Sequence, residues 1–370
     1  MTRRVLEIET LAAFDAHVRR ARNLNGWFVQ SLDLTERVEA LLSLDPRGAV
    51  FLGCRFSPAV EEHLRRAGAL IFPRLPDLPF DPYRAGLYDA AELYGTGLYE
   101  SGAYRTSRDA AIYAWARSDQ ARSVAGALST ALHDHAVTDA LDDVTAAIDP
   151  RQVVGVMGGH ALLRTEPEYA AAARLAAALC ASERLVLTGG GPGAMEAANL
   201  GAYLSPWPEA LPEALTMLAS APAYTPSIDA WVASAGQIRE RWPGAGAGRS
   251  LSIPTWFYGH EPTNLFATMI AKYFVNALRE DTLLHRCRGG IVFLPGQAGT
   301  VQEIFQAVTE NFYAAEPNLI APMILVGVDY WTAQLPAWPL LHRLGTGRAM
   351  GEVIHCVDDV AEVPELLARA

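Results

Sequence analysis

The chain has 370 residues, 51% hydrophobic and 19% charged, which suits two domains or one domain with a large extension and excludes a disordered protein. A net charge of −11, with no stripe of Lys and Arg interleaved with aromatics, argues against nucleic acid as a partner. No run reaches the roughly 18 apolar residues of a membrane span, residues 5–10 carry two glutamates and cannot act as a signal-peptide core, and Cys54, Cys180, Cys287 and Cys356 form no CxxC pair, so the expectation is a reduced, cytoplasmic protein.

Short apolar runs at residues 27–29, 49–53 and 69–72 alternate with amphipathic stretches at 34–44 and 59–67, the pattern of a small α/β unit. A proline-rich passage (Pro73, Pro76, Pro79, Pro82) leads to a polar helical pattern over residues 109–147, which stops at Asp149 and Pro150. The domain boundary is placed there. Residues 1–150 form an N-terminal α/β and helical extension, and residues 151–370 form a second domain. No internal repeat stands out. His133, Asp134, His135 and Asp139 have metal-ligand chemistry, and His135 and Asp139 share a helix face. No clustered third ligand accompanies them, so they read as a solvated face, and no metal is expected.

From residue 152 onward apolar strands at 153–157, 184–188, 251–258, 290–294, 323–328 and 353–357 alternate with helices, as in a parallel sheet with crossover connections. Thr165 as cap, Pro167 in the first turn and Glu168 three residues after the cap predict a helix start, with the helix running to Ala181. Residues 205–248, rich in Pro and Gly, read as an insertion carrying one or two helices, of the kind that forms a lid. The fold class is therefore α/β, a Rossmann-like doubly wound parallel sheet with an additional N-terminal α/β domain or extension.

Two loops carry the chemistry. Thr188, Gly189, Gly190, Gly191, Pro192, Gly193 and Ala194 follow a strand and open a helix, a junction whose backbone amides converge on an anion. Glycines there permit positive φ and close approach of a phosphate. Gly189, Gly191 and Ala194 fit a dinucleotide spacing, but no acidic strand end follows at the distance a ribose contact requires. A tight turn without a ligand is the plain alternative. The second loop, Pro295, Gly296, Gln297, Ala298, Gly299 and Thr300, precedes a helix predicted over 301–313. Here Thr300 and Glu303 have the spacing of a capping box, which would reduce Glu303 to satisfying the helix's own amides. Asn264, just after the third strand in His260, Glu261, Pro262, Thr263 and Asn264, is placed to contact base or ribose, or to cap a helix.

Val154, Gly155, Val156, Met157, Gly158 and Gly159 in and just after the first strand, then Pro167, Glu168 and Tyr169, then the triple glycine, then Pro295, Gly296, Gly299, Thr300 and Glu303 resemble the LONELY GUY (LOG) family, formerly called lysine decarboxylase-like. The resemblance spans about residues 153–312. It implies a Rossmann-like homodimer or higher homo-oligomer that hydrolyses the N-glycosidic bond of a nucleoside 5′-monophosphate to free base and ribose 5-phosphate, with no cofactor. Glu303 falls on the family's catalytic glutamate, while Gln297 replaces the second glycine of its loop. The family's catalytic arginine has no counterpart in register, and Arg279, one residue displaced, is taken for it; the plain alternative is an exposed arginine paired with Glu280 or Asp281. In this reading Gly158, Gly159, Thr188, Gly189, Gly190, Gly191, Gly193, Asn264, Gly296, Gly299 and Thr300 bind the nucleotide and its phosphate, and Glu303 stabilises an oxocarbenium-like sugar. The rivals are a nucleotide sensor or carrier that uses the same loops without catalysis, and a dinucleotide-dependent oxidoreductase.

Overall fold

The computed structural model describes residues 6–95, 104–257, 259 and 261–369. They form two compact units, one of residues 1–87 with 119–141 and the other of residues 88–118 with 142–370.

In chain order the first unit runs β1 (Leu6–Ile8), α1 (Leu11–Val18), β2 (Trp27–Gln30), α2 (Val38–Ser43), β3 (Val50–Leu52), α3 (Pro58–Arg66) and β4 (Leu70–Phe72). The strands pair in parallel in the order β1-β2-β3-β4. Leu6 pairs with Trp27, Phe28 with Val50 and Val50 with Leu70, so each turn of chain advances by about 20 residues. Repeated crossovers of one hand place the helices on one face. Ile8, Val29, Phe51 and Ile71 form an unbroken ladder there, packed with Phe14, Leu41, Val60 and Leu64. Gly26, Gly48 and Gly68, all at positive φ, recur ahead of successive strands and are linked through their backbones. The unit is thus a short coil of repeats, in which the strand positions Phe28, Val50 and Leu70 and the ladder beside them recur in register with a glycine ahead of each strand.

After β4 the chain runs through α4 (Ala90–Tyr94), α5 (Arg108–Ala116), α6 (Asp119–Arg122) and α7 (Val124–Thr145). The single helix expected over 109–147 is broken because Ser118 and Ser123 turn their hydroxyls onto the carbonyls of Trp115 and Gln120. His133 and Asp134 do not lie on a solvated face: both are buried, His133 Nδ1 is 3.1 Å from Asp134 Oδ1, and the ring packs edge-on against Phe80. Burial pushes the His133 pKa down. His135 is exposed.

The second unit continues with β5 (Val153–Met157), α8 (Pro167–Ala181), β6 (Leu185–Thr188), α9 (Ala194–Tyr203), α10 (Leu211–Leu218), α11 (Ile228–Arg241), β7 (Ser250–Ser252) and β8 (Met269–Ile270). It closes with α12 (Asn276–His285), β9 (Ile291–Phe293), α13 (Ala298–Phe312), β10 (Met323–Val326), α14 (Ala337–Gly345), β11 (Ile354–Val357) and α15 (Val363–Arg369). The seven strands are parallel in the order β11-β10-β9-β5-β6-β7-β8, a Rossmann-like doubly wound sheet. Strands β5, β6, β7, β9 and β10 are buried end to end, as a sheet covered on both faces requires. The alanine-rich α8 lets α9 approach so closely that a Cβ at Gly201 would overlap the Ala173 carbonyl.

Two local expectations change. Helix α8 starts at Pro167 with Glu166 rather than Thr165 in the cap position, and the Glu166 carboxylate accepts instead from the Leu163 amide at 2.7 Å. The third strand ends at Ser252, two residues before Pro254, and is followed by the two-residue β8, too short to leave a periodic signal. Tyr258 and His260 lie outside the described residues. Residues 205–248 fold mainly as α10 and α11.

Candidate functional site

The chain enters the sheet at β5, winds outward to β8, then returns to the other side of β5 with β9. This reversal opens a crevice at the carboxyl ends of β5 and β9, the place where open α/β sheets hold ligands. Three glycine turns meet there. The Gly159 amide donates to the Pro295 carbonyl at 3.0 Å, and the Ala194 amide donates to the Gly159 carbonyl at 3.1 Å. Gly159 therefore bridges the α9 and α13 loops directly. A Cβ at Gly193 would overlap the Gly159 carbonyl, and one at Gly296 would overlap the Thr300 hydroxyl. Gly190 and Gly193 have φ of 76° and 70°, a conformation open to glycine.

Neither of the two helices that begin here, α9 and α13, carries a side-chain cap: Gly193 offers no side chain, and Gln297, the residue before α13, places none on its amides. Apart from the Ala194 amide, which the Gly159 carbonyl takes, their first-turn N–H groups and dipoles are directed to the crevice. Helix α13 begins at Ala298, three residues earlier than expected, so Thr300 and Glu303 sit inside it and make no capping box. Gly299 is exposed, and a Cβ built on it meets nothing within 4 Å.

Thr188 and Asn264 shape the first loop from beneath. Both are fully buried. Thr188 Oγ1 donates to Asn199 Oδ1 at 2.7 Å and accepts from the Gly190 amide at 3.0 Å. Asn264 Nδ2 donates to Asn199 Oδ1 and to the Gly191 carbonyl, while its backbone amide donates to Gly190. These side chains hold the glycine turn in shape; their polar atoms are occupied by it.

Arg279 is 7% exposed and paired with Glu280, but inside the protein rather than on its surface. Its Nε donates to the Ile253 carbonyl at 2.7 Å, Nη1 to Glu280 Oε1 at 2.5 Å and Nη2 to the Gly189 carbonyl at 3.2 Å. Glu303, also 7% exposed, lies in the fields of both residues. Burial pushes its pKa up to about 8, Arg279 opposing and Glu280 reinforcing the shift. At neutral pH the Glu303 carboxyl is therefore mainly protonated. It can donate a hydrogen bond, and it presents little negative charge to a developing cation.

Two buried ion pairs near the site left no local sequence signal. Arg164 reaches Glu196 from Nε at 3.0 Å and Nη2 at 2.5 Å, with Ser234 and the carbonyls of Ala221 and Trp231 taking its other N–H groups. Lys272 holds Asp109 at 2.6 Å and Thr263 at 2.7 Å, and Asp109 also accepts from Trp256 Nε1. Thr263 precedes Asn264, so Lys272 anchors the segment that clamps the first glycine loop. Lys272 is the chain's single lysine, and that rarity was the one available hint. A cleft of about 190 Å³ opens beside Pro192 and Gly193. A larger cavity of about 620 Å³ lies toward the opposite, amino-terminal ends of the strands, around Arg151, Arg286 and Arg288, away from the loops.

Fold and loops together define a Rossmann-like α/β protein with three glycine turns meeting at its switch point and an additional N-terminal α/β unit. The chain matches no protein-family profile and no curated protein. It is similar to the solved structure of the molybdenum cofactor binding protein from the phototrophic bacterium Rippkaea orientalis, with 17% identity over 59% of this chain and 95% of that one and a TM-score of 0.35. It is also similar to the molybdenum cofactor carrier protein from Chlamydomonas reinhardtii, with 17% identity over 58% of this chain and 98% of that one and a TM-score of 0.34. At this level the likeness carries no argument about what this chain binds. These proteins belong to a family other than LONELY GUY and are cofactor-binding and carrier proteins rather than hydrolases. The expected LONELY GUY membership is corrected accordingly. With it goes the expected phosphoribohydrolase or nucleosidase activity. Among the described residues no helix is long and apolar enough to cross a membrane.

Proposed function

We propose that the second unit binds a phosphorylated small molecule at the switch point and holds it without breaking its glycosidic bond, as a sensor or carrier would. The observation that carries this reading is the junction through Gly159 of two helix starts without side-chain caps, α9 and α13, with open space at Gly299. A phosphate there meets amides rather than a carboxylate, since Glu303 is mainly neutral. Gly158, Gly159, Gly189, Gly190, Gly191, Gly193, Gly296, Gly299 and Thr300 form the cradle, while Thr188 and Asn264 keep its shape.

Calorimetric titration of the full chain with ribose 5-phosphate and guanosine 5′-phosphate, followed by chromatography of the mixtures, tests this. Saturable binding displaced by inorganic phosphate, with both esters recovered intact, is the expected result. Absence of binding, or release of free base, would overturn it.

A further inference from the structure

The cleft of about 190 Å³ beside the first glycine loop is built by elements the loop motifs do not include. One wall is the segment after β5, with His160 and Leu163; the floor is Pro192, Gly193 and Glu196 at the start of α9. The opposite wall comes from the 205–248 insertion, with Tyr224 and Trp231. Arg164 fastens these walls together. Its guanidinium binds Glu196, Ser234 and the carbonyls of Ala221 and Trp231, and its Cζ lies 4.8 Å from the Trp231 ring centroid. Its backbone amide donates to the Pro222 carbonyl at 3.0 Å. Arg164 is 3% exposed and Glu196 fully buried, so the wall geometry is fixed by desolvated charge-assisted bonds rather than by a free loop.

We propose that this cleft is the ring subsite of the same ligand and takes a planar aromatic ring system. The inference rests on the phosphate-binding reading, since Pro192 and Gly193 belong to both the cleft and the cradle. Size limits the occupant: whole ligand pockets run to roughly 300–1,000 Å³, so a space of about 190 Å³ admits one ring system and not the complete molecule. The lining chemistry selects the ring. Aromatic side chains from Tyr224 and His160 offer stacking faces, while Trp231, 1% exposed and covered by Arg164, backs the wall.

Arg164 is the positioning residue of this arrangement. The test compares ribose 5-phosphate, which has no ring system to fill the cleft, with guanosine 5′-phosphate, titrated into the full chain and two variants. Ala161→Trp fills the cleft from an exposed position on one wall, and Tyr224→Ala strips the other. In the unmodified protein guanosine 5′-phosphate should bind on the order of ten-fold tighter than ribose 5-phosphate, the worth of one stacked base. Each variant should erase most of that advantage and leave ribose 5-phosphate affinity where it was, with unchanged circular dichroism showing that it folds. If ribose 5-phosphate does not bind the unmodified protein, the cradle reading itself fails. If it binds but the guanine adds nothing, or if the advantage survives in a folded variant, the ring subsite fails alone. Because the two substitutions stand on opposite walls, misfolding of one leaves the other to decide.

Discussion

Gly299→Ala separates a ligand cradle from a mere turn. Gly299 is the second residue of α13, its φ lies outside the left-handed region, and a Cβ there would meet no protein atom within 4 Å. On folding grounds the substitution is favourable: Gly to Ala in a helix is worth about 0.5–1 kcal/mol, and the lower end applies in a first turn. For a unit of this size about 0.5 kcal/mol raises Tm by about 1–2 °C. On binding grounds it is unfavourable, because the methyl occupies the space a phosphate needs to reach the α13 amides. A loss on the order of ten-fold, about 1.4 kcal/mol, is expected. Gly193→Ala would not discriminate, since its φ of 70° and the overlap with the Gly159 carbonyl damage the fold as well. Differential scanning fluorimetry and calorimetry on the same sample give both numbers. A raised Tm with unchanged affinity for ribose 5-phosphate would refute the placement of the anion on α13.

Glu303→Gln should alter the pH dependence of stability. The folded protein holds a proton on Glu303 up to about pH 8 that the unfolded chain releases near the ordinary 4.5, so its stabilising contribution is complete below about 4.5 and is lost as pH rises to about 8. Urea titrations should show the variant gaining on the unmodified protein by up to about 1.4 kcal/mol per pH unit across that window; parallel profiles would contradict the buried neutral carboxyl. Lys272, 1% exposed and bound to Asp109, should resist amine-directed acylation in the folded protein and react on denaturation, as peptide mass spectrometry would show. Lys272→Met should cost about 3–5 kcal/mol by leaving Asp109 buried without its partner, and ready labelling of the native chain would disprove the burial.

The parts of the fold legible in the sequence were those whose cause is local. Buried strands such as β5 read as apolar runs because both sheet faces are covered, and the 188–194 glycine loop declared itself by its place between strand and helix. Glu303 was misleading for a local reason as well: the capping-box spacing is real, but α13 starts at Ala298, which turns both residues of the pair inside the helix. The elements that build the site's depth are non-local. Arg164 meets Glu196 and Ser234 across 32 and 70 residues, and Lys272 meets Asp109 across 163, distances at which no periodicity or spacing rule operates. The repeats of the first unit were hidden because their helices differ in length, at 8, 6 and 9 residues, while the strands that recur are only three or four residues long.

The charge balance at the crevice bears on where affinity must come from. Arg279 is held against Glu280, and Glu303 is mainly neutral, so these side chains bring almost no net charge to the loops. Attraction for a phosphate then falls to backbone amides and to two helix dipoles, each worth about 0.3–1 kcal/mol at an exposed terminus, in a chain whose overall charge is −11. Free phosphate should accordingly bind weakly. A ligand retained at useful concentrations has to gain the remainder elsewhere, and the cleft braced by Arg164 adjoins the cradle through Pro192 and Gly193. Gln297 fits the same logic: its φ of −102° needs no glycine, so its exposed side chain changes the mouth of the crevice rather than the backbone that forms it. Selectivity therefore belongs to the non-phosphate part of the ligand, and the 205–248 insertion, which supplies a wall of the cleft, is the segment whose exchange should redirect it.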